Sequence, residues 1–177
     1  WQEDGVTHRS AKVFAHSFTD EQVVVDENYP PLPEITTAAA GALVCKTIYI
    51  AGGDSGEGAT QNYWSLDLPK RDTDDFKWVK LPPWDGPART HLLASAQSDG
   101  GTDCLYIFSG RMKDAQGRWH MLSDAHKYNP KSGKWKKINN IQTKGDAQPR
   151  CVMAGTAASL GTNSLLLFGG ANGKRFI

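Results

Sequence analysis

The sequence predicts an all-β chain of the propeller class, and two observations carry that prediction. An apolar strand runs three times into a pair of small residues: Ile48-Tyr49-Ile50-Ala51-Gly52-Gly53, Leu105-Tyr106-Ile107-Phe108-Ser109-Gly110 and Leu165-Leu166-Leu167-Phe168-Gly169-Gly170, with the pairs 57 and 60 residues apart. Other landmarks keep step with them. Trp78 and Trp135 each follow a pair by 25 residues, and Arg89 (in Pro87-Ala88-Arg89) and Arg150 (in Gln148-Pro149-Arg150) precede the next pair by 21 and 20 residues. A repeat of this length built from several short strands is that of a propeller blade, which gathers its function in loops around a central channel.

Each element follows from the repeat. Residues 1–35 hold the two outer strands of a preceding blade, Ala11 to Phe18 and Gln22 to Asp26. The blade over residues 36–83 begins with a small-residue inner strand, Thr37 to Val44. Small side chains are needed there because blades converge on the axis. Its further strands are Thr47 to Ala51, Tyr63 to Leu68, and Phe76 to Leu81 around Trp78. The blade over residues 90–138 repeats the pattern as Thr90 to Gln97, Cys104 to Phe108, Ser123 to Tyr128 and Lys134 to Ile138. Residues 151–177 supply two inner strands, Val152 to Ser159 and Leu165 to Phe168. Alanine runs such as Thr37-Ala38-Ala39-Ala40 favour helix in isolation, and the repeat context overrides that. The tryptophans are expected to fill the gaps between blades.

Composition narrows the partners. The 177 residues carry 20 basic and 19 acidic side chains, so no polyanion such as nucleic acid is indicated, and no apolar run is long enough for a bilayer. About three units of this size fall short of the 4–8 blades that close a propeller, so a larger ring is expected. The remaining blades are expected from the same protein or from a second chain, a homodimer being one arrangement. Cys45, Cys104 and Cys151 are odd in number and lack metal-ligand spacing, so they read as small residues of the β core. No phosphate loop, nucleophile elbow or His-x-x-x-His pair is present. No cofactor is expected.

The strand, the Gly-Gly end, the aromatic about ten residues on and the tryptophan resemble the kelch repeat. Tyr29-Pro30-Pro31-Leu32-Pro33 before a small-residue strand, Ile48 to Gly53, and Leu165-Leu166-Leu167-Phe168-Gly169-Gly170-Ala171-Asn172-Gly173 are similar, more narrowly, to the N-acetylneuraminate epimerase (sialic acid mutarotase) group, in its circularly permuted bacterial type. The resemblance implies a six-bladed propeller that interconverts the α and β anomers of sialic acid without a cofactor. It also implies a periplasmic or secreted protein. That family carries Gly-Glu-x-Lys-Pro-Gly-x-Arg, whose Glu and Arg are its proposed catalytic pair. The nearest stretch here is Gly110-Arg111-Met112-Lys113-Asp114-Ala115-Gln116-Gly117-Arg118, in which Arg111 stands in the place of the glutamate.

In a kelch blade, the loop after the second strand and the loop leading to the next inner strand share one rim. Arg89, Arg150, Arg111, Arg118 and Asn62 fall on these loops and are the candidate substrate contacts, since a guanidinium pairs bidentately with a carboxylate. The other reading of Arg89 and Arg150 is that they tie adjacent blades by bonding loop carbonyls. His91 is a candidate acid–base group or a packed histidine. Asp54 and Glu57 are candidate bases or solvated loop carboxylates. His8, His16, His120 and His126 read as surface residues. The alternative function is a non-catalytic kelch scaffold that binds glycan or protein on the rim through exposed aromatics such as Trp84 and Trp119.

Overall fold

The computed structural model describes residues 2–3, 6–19, 21–142, 144–145, 149–153 and 157–169. It is all-β, with no α-helix among these residues and one 3-10 turn at Leu68–Lys70. In chain order, β1 (Gln2–Glu3) pairs with β2 (Val6–Thr7), and β3 (Ala15–Phe18) with β4 (Val23–Asp26). Next come β5 (Ala40–Val44), β6 (Thr47–Ala51), β7 (Tyr63–Asp67) and β8 (Val79–Lys80), an antiparallel sheet in sequence order. The following strands are β9 (Leu93–Ser98), β10 (Asp103–Phe108), β11 (Arg111–Lys113), β12 (Trp119–Met121), β13 (Ala125–Asn129) and β14 (Lys134–Ile138). Of these, β9, β10, β13 and β14 form the second four-stranded sheet, while β11 and β12 form a separate hairpin between its second and third strands. Last, β15 (Ala157–Leu160) pairs with β16 (Ser164–Leu167). The two four-stranded antiparallel sheets are those of a β-propeller fragment.

The alternation of side chains across a strand explains how the blades stack. On β6, Tyr49 and Ala51 point to one side and Ile48 and Ile50 to the other. On β10, Leu105 and Ile107 oppose Tyr106 and Phe108. Tyr49, Tyr63, Leu105, Ile107 and Tyr128 therefore meet in one layer between the complete blades, with Trp84 and Leu92. Trp64, Leu66 and Trp78 pack on the preceding segment through Val13, Tyr29 and Leu32. Leu93, Phe108 and Ala125 pack on Val152, Leu165 and Leu167 of the last inner pair. The repeat tryptophans do pack between blades, and each indole also makes the same bond. Trp78 Nε1 donates to the Pro30 carbonyl at 2.9 Å and Trp135 Nε1 to that of Pro82 at 3.1 Å, each acceptor opening a Pro-Pro step between blades.

Several boundaries differ from the sequence expectation. The inner strands begin at Ala40 and Leu93 rather than Thr37 and Thr90, because Ala38 and His91 adopt φ of 53° and 54°, which interrupts an extended ladder. The outer strand expected over Phe76 to Leu81 is only Val79–Lys80, since residues 73–77 are held in turns by Phe76 N–H to Thr73 O and Lys77 N–H to Asp75 O. The hairpin β11–β12 was not anticipated. Residues 154–156 and 170–177 lie outside the described residues. They include Gly170 of the third pair and the expected rim residues Asn172, Lys174 and Arg175. Cys104 and Cys151 are buried as expected, but Cys45 is exposed at the tight turn between β5 and β6, with φ of 54°.

Candidate functional site

Corresponding loops hold corresponding residues just ahead of the inner strands β5 and β9. In one blade, Thr37 and Asp54 exchange backbone hydrogen bonds of 3.0 and 2.7 Å. In the next, Thr90 and Arg111 do the same at 2.9 Å each. Asp54 and Arg111 each follow the glycine of a small-residue pair and so occupy equivalent places. Gly53 and Gly110 need φ of 98° and 96° to make this turn. The residue after each threonine is left-handed, and its chain is joined across the blades by His91 N–H to Ala38 O at 2.8 Å.

This backbone brings three of the candidates together. His91 Nδ1 lies 3.0 Å from Thr90 Oγ1, and its Nε2 lies 3.5 Å from Arg111 Nη2. Since Arg111 can only donate, Nε2 is the acceptor and Nδ1 carries the proton toward Thr90. Burial, and then the Arg111 charge, push the His91 imidazolium below its ordinary range, with Asp54 opposing in part. The Arg111 guanidinium lies over the Trp119 ring, 4.1 Å from its centroid, and its Nε is buried with no hydrogen-bond partner. Beside this cluster a cleft of about 500 Å³ runs between inner strands, lined by residues 38–41, His91 to Ala94, and Ala157. His91 lines this cleft, Arg111 meets its Nε2 and the Asp54 charge acts on it, an arrangement that can bind an anionic group and move a proton beside it.

The other candidates are elsewhere. Arg89 does not reach the rim. Its side chain is fully buried, and four of its donor contacts are already used: to Asp124 Oδ1 and Oδ2 at 2.9 and 2.7 Å, to Ser109 O at 3.0 Å and to Pro87 O at 3.3 Å. It therefore takes the blade-tying role. Its side chain anchors the loop that leads into Arg111, while its carbonyl accepts from Gly53 N–H at 2.9 Å in the loop of the previous blade. Arg118 sits at the tip of the β11–β12 hairpin, bonded to Asp114 at 2.8 Å. Asn62 donates to Glu34 Oε2 at 2.7 Å. Glu57 is exposed. Arg150 is partly buried, and its backbone N–H bonds Ile141 O at 2.7 Å.

Two residues reverse their expected settings. His126 is buried rather than on the surface, with Nε2 2.8 Å from Asp124 Oδ2. Trp84 is 1% exposed in the layer between the blades, with the Arg89 guanidinium 5.4 Å from its ring, so it is not a rim aromatic. Trp119 is exposed, as the scaffold reading required. Sequence reasoning missed Asp124. Its signal was present as Asp124-Ala125-His126, which starts the third strand of the blade whose linker carries Arg89. Burial alone would raise the Asp124 carboxyl, but bonds from His126 and Arg89 outweigh it and hold the group well below the usual carboxylate range.

Known proteins resemble this chain. The family described as N-acetylneuraminate epimerase matches residues 29–176. The N-acetylneuraminate epimerase of Haemophilus influenzae (strain PittEE) is 29% identical over 146 residues, covering 82% of this chain and 34% of that protein. That of Shigella sonnei (strain Ss046) is 30% identical over 147 residues, covering 83% and 35%. The solved structure of YjhT matches with a TM-score of 0.50 and 32% identity, over 63% of this chain and 29% of that one. The chain thus spans about a third of the length of the curated relatives it matches.

Proposed function

Since the chain belongs to the N-acetylneuraminate epimerase family, we propose that it forms part of a sialic acid mutarotase, an isomerase whose reacting groups include His91 and Arg111. The observation that carries this reading is the meeting of His91 Nε2 and Arg111 Nη2, 3.5 Å apart, where His91 lines the inner-strand cleft. The substrate's carboxylate and anomeric hydroxyl sit on one carbon. Arg111 pairs with the carboxylate, drawing on the donor capacity it does not spend within the protein. That pairing separates Arg111 from His91 and frees the Nε2 lone pair. The imidazole then takes the proton of the anomeric hydroxyl, the ring C–O bond breaks, and the ring oxygen is protonated from water or by the imidazolium so formed. The open keto form rotates and recloses on its other face. Asp54 stabilises the transient imidazolium. General acid–base assistance of this kind contributes about 10²–10⁴-fold.

Freshly dissolved α-N-acetylneuraminate, followed by proton NMR with the intact full-length protein, tests the reading. Anomeric equilibration should outpace buffer. Arg111→Ala should raise KM and lower the rate at limiting substrate at least tenfold, and His91→Ala should lower kcat. Because His91 titrates below the ordinary imidazole range, the rate should hold as pH falls to about 6.5 and decline only below it. No acceleration by a folded protein would sink the reading.

Export to the periplasm or the medium, where free sialic acid is met, belongs to the same proposal. Exposed Trp119 beneath Arg111 and Lys113 supports the second reading, a rim that binds glycan without turnover. Saturable binding without anomer exchange would favour it.

A further inference from the structure

Arg111 is held in a different way from Arg89. Arg89 is fixed by a carboxylate, Asp124, which bonds two of its guanidinium nitrogens. Among the described residues no carboxylate pairs with Arg111. Its guanidinium meets the Trp119 ring, 4.1 Å from the centroid, and His91 Nε2 at 3.5 Å. The β11–β12 hairpin is built to make the ring contact. Arg111 pairs with Met121, Met112 with His120 and Lys113 with Trp119. Alternation therefore sets Arg111, Lys113, Trp119 and Met121 on one face, with Trp119 diagonal to Arg111 and within reach of a long side chain. On the other face, both neighbours of Trp119 are tied to Asp114. Arg118 Nε donates to Asp114 Oδ2 at 2.8 Å, and His120 Nε2 lies 2.8 Å from the same oxygen. Asp114 Oδ1 accepts the backbone N–H groups of Gln116 and Arg118 at 2.9 Å each. The indole thus stands between two anchored residues.

We propose that Trp119 is a positioning residue, whose ring holds the Arg111 guanidinium against His91 without consuming an N–H donor. A ring stacks on the flat face of a guanidinium, whereas a carboxylate bonds its edge, so the two do not compete. A carboxylate in the place of Trp119 would take the donors, as Asp124 does with Arg89. An aliphatic residue there would let the guanidinium swing on its flexible stem. With the ring in place, the edge of Arg111 stays directed for an anion before one arrives, which lowers the ordering cost of binding. The proposal rests on Arg111 as the carboxylate-binding group of the reaction assigned above.

His91 reports the place of Arg111 without substrate, because the Arg111 charge adds to burial in lowering the imidazolium pKa, with Asp54 opposing. The test is an NMR titration of the His91 ring in the full-length protein, its signal assigned by its loss in His91→Gln. Arg111→Ala should raise the His91 pKa toward the ordinary imidazole value of about 6.5. Trp119→Ala should raise it by most of the same amount, and the double variant should add little further. Trp119→Phe keeps a ring and should restore the wild-type value. In anomer exchange, Trp119→Ala should raise KM as Arg111→Ala does, and Trp119→Phe should reverse the rise. A His91 pKa unchanged in folded Trp119→Ala, or raised as far by Trp119→Phe, would overturn the proposal. The titration needs no turnover. A protein that shows these shifts but exchanges no anomers would therefore sink the reaction and keep the positioning role.

Discussion

Replacing Asp124 by alanine should destabilise the protein by about 3–5 kcal/mol, the usual result of stripping a partner from a buried charge. Arg89 has no exposed surface, and Asp124 supplies both of its carboxylate contacts, so the variant leaves a guanidinium in the interior with only carbonyls to accept its hydrogen bonds. His126 loses its partner in the same step. Urea unfolding followed by tryptophan fluorescence would measure the loss. The double variant Arg89→Met with Asp124→Leu should recover much of it, because apolar residues of similar size remove the unpaired charge. A midpoint unchanged in the single variant would refute the clamp.

The same carboxylate sets an acid limit. Its pKa in the folded protein lies below that in the unfolded chain, so the folded state binds the proton less well. Its stabilisation is complete above the unfolded value near 3.9 and is lost as pH falls from there toward the folded value. Wild-type stability should drop steeply below about pH 4, and Asp124→Asn should lack that part of the drop.

Gly110→Ala should be the second large effect, about 1–3 kcal/mol with loss of the His91–Arg111 contact. The position has φ of 96°, and an added Cβ would lie 2.7 Å from the Thr90 carbonyl oxygen. That oxygen is the acceptor for Arg111 N–H. Relief of the clash must push Thr90 and Arg111 apart, and His91 moves with Thr90. Thermal unfolding reads the strain, and the pH dependence of anomer exchange reads the displaced histidine. Gly133→Ala is the control. It has φ of 65° but no atom within 4 Å of the added carbon, so it should cost less and leave the site alone.

The strands of the two four-stranded sheets were legible in the sequence. Alternation on Thr47–Ala51 and Lys134–Ile138 sets two strands whose limits agree residue for residue with the fold. The recurring small-residue pairs mark where the chain must turn with positive φ, and the equal spacing of Trp78 and Trp135 marks an indole between blades. These are local requirements, met within a few residues by side-chain direction and backbone sterics, so they repeat visibly. The sequence also singled out His91 and Arg111, which the fold brings to 3.5 Å of each other.

What the loops do with their charges depends on contacts made across the fold. Arg89 and Arg111 look alike in sequence, each beside a repeat landmark. One is fully buried on Asp124, 35 residues away, and the other stacks on Trp119 and meets His91. Trp84 and His126 went inside for the same reason. They flank the Arg89 clamp, and a buried ion pair must be enclosed by groups that bond it or exclude water. Such partners come together only when blades stack, so no spacing along the chain records them.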